Sequence, residues 1–131
     1  MKLTLDVENT VTQRDGKMHL DPFEPDNSLV MVGILTDQGQ CLTFPFDHAD
    51  RPNQRDYYER VQSFLDEATV LICHNAAYDL LWLWESGFKY DGPVFDTMLA
   101  EYVLQRGVKE PLSLEACAER YDLDTKKQDT L

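Results

Sequence analysis

One segment limits the possible folds of this chain more than any other: the apolar, β-branched run Leu29–Thr36 (LVMVGILT). Such a run reads as a strand buried in a core. Asp37-Gln38-Gly39-Gln40 supplies a turn, and Cys41–Phe46 a second strand, so the two form a hairpin. Pro45 marks the end of that strand or an edge position. Ahead of the hairpin, Lys2–Val7 alternates as a short strand. The segment Val11–Asn27 is polar, contains Asp15-Gly16 and two prolines, and reads as a loop or loose hairpin.

Helical spacing follows. In Asn53–Glu67, Tyr57, Tyr58, Val61, Phe64 and Leu65 recur on one face. Thr69–Cys73 (TVLIC) is a short buried strand, and His74-Asn75 leads into a strongly apolar helix, Ala76–Glu85, that Gly87 closes. Thr97–Gln105 and Ser113–Tyr121 read as two further helices, and residues 122–131 as a polar tail. Strand, hairpin, helix, strand and then helices predict an α/β chain with a mixed sheet flanked by helices.

With 131 residues, the chain fits one small domain. It carries 24 acidic and 12 basic side chains, a net charge of −12. A surface of that sign repels nucleic acid, which proteins bind chiefly by neutralising phosphates. A nucleic-acid role therefore needs local basic groups, metal ions or a basic partner; the acidity by itself favours an unspecialised acidic domain. Cys41, Cys73 and Cys117 are odd in number and scattered, which argues for a reducing compartment and for cysteines that act as small buried hydrophobes. No Cys/His spacing suits zinc. Met1–Glu8 lacks the apolar stretch of a signal peptide, and no apolar run is long enough to cross a membrane, so a cytoplasmic protein without a membrane partner is expected.

Two features carry chemistry. In Asp6-Val7-Glu8 the acids are two apart, so a strand presents both on one face. Neighbouring carboxylates repel, and a hard divalent ion such as Mg²⁺ or Mn²⁺ relieves that cost with oxygen ligands alone. A DxE triplet by itself reads more simply as two solvated acids at a strand end. The second feature is His74-Asn75-Ala76-Ala77-Tyr78-Asp79, in which Asn75 is a candidate N-cap. Asp79 lies about one turn inside a helix rich in Leu and Trp. It faces either the strand carrying Asp6 or solvent.

In order along the chain, LDVENT resembles the first motif (DxE) of the DEDD, or DnaQ-like, 3′–5′ exonucleases, and CHNAAYDLLWL the second (Nx3D). VFDTMLAEYVL and SLEACAERY resemble the segments that follow in the proofreading domain of family-A DNA polymerases, and phage-type enzymes are the most similar. The resemblance runs from about Lys2 to Tyr121. It implies a ribonuclease-H-like fold that removes 3′-terminal nucleotides from single-stranded or frayed DNA ends with two Mg²⁺ or Mn²⁺ ions. By position, Asp6 would bridge both ions, Glu8 would hold one and help place the terminal nucleotide, and Asp79 would complete the coordination of the second ion, directly or through water. Asn75 would orient the site or contact substrate, Tyr78 would support it, and Asp96 of the FDT segment would cap a helix.

The sequence departs from the family in one respect. No Yx3D or Hx3D motif follows Tyr121, so the fourth carboxylate and the group that positions water are missing. The expectation is therefore a single partial exonuclease domain over residues 1–131, C-terminally incomplete: either half of a split enzyme that a second chain or a polymerase completes, or a truncated remnant that folds but is inactive. The alternatives are an inactive exonuclease-like module that binds a polymerase or another nucleic-acid-processing partner, and an RNA-directed nuclease of the same superfamily. Incompleteness also predicts an exposed Trp82/Trp84 surface and possible homo-oligomers. A phage-encoded protein in a bacterial host fits this resemblance.

Overall fold

A computed structural model describes residues 1–20, 22–46 and 54–124. Among these residues, seven strands and four helices follow in the order β1 (Lys2–Asn9), β2 (Thr12–Arg14), β3 (Lys17–His19), β4 (Leu29–Thr36), β5 (Cys41–Pro45), α1 (Gln54–Glu67), β6 (Val70–Cys73), α2 (Ala76–Glu85), β7 (Val94–Asp96), α3 (Thr97–Leu104) and α4 (Leu114–Arg120). The main sheet has the order β5-β4-β1-β6-β7, with β1 antiparallel to β4 and parallel to β6. The mixed sheet flanked by helices is the architecture that the sequence predicts.

Strand β1 sits at the centre because every second residue is apolar. Leu3, Leu5 and Val7 are buried, while Thr4, Asp6 and Glu8 are exposed on the other face. The buried face joins Val32, Ile34 and Phe44 of the hairpin to Val61 and Leu65 of α1 and to Trp82 and Leu83 of α2. Rings finish this core: Phe46 packs edge-on against Tyr58 and Phe88, which stack on each other at 4.5 Å.

Where the strands stop pairing matters for the site. Strand β6 pairs with β1 only from Lys2 to Thr4. Beyond Thr4, that side of β1 is left for the first turns of α2, which contact β1.

The structure decides or changes several sequence expectations. Of the two readings of Val11–Asn27 it shows the hairpin: Asp15 and Gly16, at φ 53° and 75°, close β2–β3, and positive φ at both central residues is what a type I′ turn requires. Val94–Asp96 forms a strand that three residues cannot announce; it forms because Leu71–Cys73 offers an open edge. The exposed tryptophan surface is half right. Trp84 is 51% exposed, but Trp82 is at 2% and lies in the core. The exposed apolar residues gather instead on α3, at Leu99, Tyr102, Val103 and Leu104. Cys73 is buried as expected, whereas Cys41 is exposed and Cys117 half-buried. The expected helix start at Asn53 and most of the expected polar tail (125–131) fall outside the described residues. Among the described residues no helix is long and apolar enough to cross a membrane.

Helices α3 and α4 are joined by one polar knot. Glu101 of α3 is nearly buried; Arg120 Nε donates to it at 3.1 Å and the Tyr121 hydroxyl at 2.6 Å. The Tyr121 hydroxyl first, then Arg120, hold the Glu101 carboxyl below the usual glutamate range.

Candidate active site

The site forms where β1 emerges from the sheet. Asp6 and Glu8 point to the exposed face because they share the strand's parity. Asp6 lies opposite Gly33 of β4, so no neighbouring side chain on that strand stands beside it.

Asp79 comes from the first turn of α2. Of the two orientations open from the sequence, the structure shows the inward one: Asp79 is 3% exposed. Its carboxyl is pushed up to about 7, first by burial, then by the negative charge of Asp6, with Asp96 adding to the rise. The Cys73 thiol and the Val7 backbone N–H oppose that rise by hydrogen bonding. The Val7 N–H is available because β6 has stopped pairing three residues earlier. Oδ2 of Asp79 is buried without a hydrogen-bond partner. Burial, and next the Asp79 charge, push the Cys73 thiol far up, so it stays protonated and serves as a donor rather than a nucleophile.

A buried carboxylate oxygen with no donor, close enough to a second acid to feel its charge, is costly as it stands. A hard divalent cation would satisfy both acids, and the oxygen donors of Asp6 and Asp79 fit Mg²⁺ or Mn²⁺. Among the described residues, no group of three or more His, Cys, Asp or Glu side chains stands close enough together to hold a metal. Glu8 shares the face of Asp6.

Asn75 occupies the N-cap position of α2, but its side chain makes no cap bond and its backbone is left-handed (φ 67°, ψ 62°). An L residue rarely adopts that conformation, and asparagine tolerates it better than most. The carboxylate that serves the helix start comes from Asp96, which accepts from Asn75 N and Ala76 N at 3.0 Å each. Asp96 also caps α3, as expected, accepting from Met98 N at 2.9 Å and Leu99 N at 3.4 Å. The sequence shows the α3 cap but not the reach to α2, which depends on Cys73 pairing with Asp96 across the β6–β7 ladder.

Tyr78 has a supporting place: its hydroxyl donates to Asn9 Oδ1 at 2.6 Å and reaches the Leu20 carbonyl at 3.3 Å. It therefore ties α2 to the end of β1 and to the residue after the small hairpin. His74 is a strut, with Nδ1 at 2.9 Å from Thr97 Oγ1 and Nε2 at 2.7 Å from the Leu112 carbonyl. Neither His74 contact is legible in the sequence, because both partners lie more than twenty residues away.

A 3′–5′ exonuclease family model matches residues 17–130, and the chain belongs to that family. The matched span holds Asn75, Tyr78, Asp79 and Asp96 and begins after Asp6 and Glu8. No curated protein gives a significant match to the sequence. Among solved structures, Brucella melitensis NrnC with bound Mg²⁺ superposes with a TM-score of 0.67 at 22% identity, over 98% of this chain and 57% of that one. NrnC bound to pGG gives 0.66 at 23% identity, with 98% and 56% covered. Exonuclease X in complex with 5′ overhanging duplex DNA gives 0.56 at 15% identity, over all of this chain and 79% of that one. At such identities the likeness shows the shared fold, a ribonuclease-H-like exonuclease fold. The chain spans little more than half the length of NrnC.

Proposed function

We propose that this chain is one exonuclease domain that removes 3′-terminal nucleotides from single-stranded or frayed DNA, with Mg²⁺ or Mn²⁺ held by Asp6 and Asp79 and with Glu8 turning in to join them. The observation that carries this reading is the buried, partnerless Oδ2 of Asp79, set beside β1 in the charge field of Asp6. The family assignment supports the reaction, and the Mg²⁺ bound to NrnC supports the cofactor.

Bound ions would activate the attacking water and stabilise the leaving 3′-oxygen. The chain's own residues do the rest. Asp6 and Glu8 present oxygens from a rigid strand, so their spacing is fixed before substrate arrives. Asp79 supplies an oxygen from a buried position, where its interaction with a cation is strong. In this reading Asn75, exposed at the helix start, contacts the terminal nucleotide, and Tyr78 holds β1 and α2 together. The fourth carboxylate of a proofreading-type site would lie outside residues 1–124. A phage-type replication enzyme working in a bacterial cytoplasm fits this reading.

The test is a Mg²⁺- or Mn²⁺-dependent assay on 3′-labelled single-stranded DNA, run alone and with candidate completing chains. Asp6→Ala should abolish stepwise 3′ shortening; equal activity in wild type and variant would refute the proposal. Ribo-oligonucleotides in the same assay decide between DNA and RNA.

A second reading rests on the exposed apolar residues of α3, which suit a docking surface. In it, the chain binds a polymerase or another nucleic-acid-processing partner, and the acids are relics. Calorimetry separates the two: polymerase binding without any divalent-ion binding would favour the module.

A further inference from the structure

The Asp96 side chain accepts four backbone donors. Oδ1 takes the N–H groups of Asn75, Met98 and Leu99, and Oδ2 takes that of Ala76. These four donors belong to two helix starts. Met98 and Leu99 open α3, directly after Asp96; Asn75 and Ala76 open α2, twenty residues earlier in the chain. The first N–H groups of a helix have no partner within it and carry the positive end of its dipole, so one carboxylate serving two starts pins them to each other. These bonds hold the Asp96 carboxyl below the usual aspartate range despite its partial burial.

The start of α2 needs such an anchor. Asn75 lies in the left-handed region and offers no side-chain cap of its own. Asp79 follows Ala76 by three residues, less than one helical turn. Any slackening at Ala76 would therefore move the Asp79 carboxyl along β1.

We propose that Asp96 is a positioning residue for the cation site: by gripping the N–H groups of Asn75 and Ala76 it sets where Asp79 meets β1. This rests on the reading that Asp79 binds a divalent ion. Asp96→Asn is the discriminating change. It preserves size and still caps α3, since asparagine is a good N-cap. It replaces one carboxylate oxygen with an NH₂ group, which cannot accept from Ala76.

The experiment measures Mn²⁺ binding by electron paramagnetic resonance for wild type, Asp79→Asn and Asp96→Asn, with amide hydrogen exchange on the same samples. Wild type should bind Mn²⁺, and Asp79→Asn should lose binding. Asp96→Asn should bind at least ~10-fold more weakly, in the range seen when groups that orient a metal ligand are removed. Its Ala76 amide should exchange faster, while Met98 stays protected. If Asp79→Asn loses Mn²⁺ but Asp96→Asn binds as wild type does, the positioning role is overturned and the cation reading stands. If wild type binds no Mn²⁺, both fall. Should Asp96→Asn fail to fold, wild-type exchange decides: an Ala76 amide as fast as an unbonded one overturns the proposal.

Discussion

At the scale of single residues, Asp79 makes a prediction that no assay of activity is needed to check. Its carboxyl titrates near 3.8 when unperturbed and at about 7 in the fold. Between those values the folded protein holds the extra proton. Stability without metal is therefore highest at the acid end of the window and falls as pH rises through it. The melting temperature of ion-free protein should drop across that range, and Asp79→Asn should flatten the profile and raise its alkaline end. Mg²⁺ above pH 7 should restore wild type and leave the variant unchanged; a wild-type profile as flat as the variant's would count against a buried, uncompensated acid. The alternation of β1 made the shared face of Asp6 and Glu8 legible in the sequence, and an acid inside an apolar helix marked Asp79. The anchoring role of Asp96 was illegible, since it depends on which strands pair.

At the scale of elements, β4 flanks the site through the one residue that has no side chain. A Cβ on Gly33 would lie 3.8 Å from the Asp6 carbonyl, an ordinary contact, and Gly33 does not sit at positive φ. Gly33→Val should therefore leave the melting temperature close to wild type. In an antiparallel pair its side chain would share the face of Asp6, so Mn²⁺ affinity measured by calorimetry should weaken severalfold; unchanged affinity would mean that the space beside Asp6 is not used. In α2, Trp82 is the largest fully buried side chain, and Trp82→Ala should cost about 3–5 kcal/mol in urea unfolding. Periodicity revealed β1, β4, β6 and the helices. Strand β7 stayed hidden, because three residues carry no period of their own.

At the scale of the whole molecule, the net charge of −12 opposes the polyanion this chain is proposed to cut. Most DNA-binding proteins lose affinity as salt rises, because salt competes with their phosphate contacts. Here added salt also screens a repulsion. At constant Mg²⁺, KM for a short oligonucleotide should stay level or fall as monovalent salt rises from low to physiological; a steep rise would reveal a basic surface that the total charge conceals. The order of elements was enough to predict the mixed sheet. The place of the uncovered apolar surface was not, because α2 turns Trp82 inward and α3 leaves Leu99, Tyr102, Val103 and Leu104 outside.

The alternation of β1 also makes the chain's tolerance of length change uneven. One residue inserted between Leu5 and Asp6 would turn both acids towards the core and Val7 towards water. A residue added at Asp15-Gly16 would only enlarge a surface turn. Within one small protein, then, a short stretch near the start must keep its count, and the hairpin that follows is free to drift.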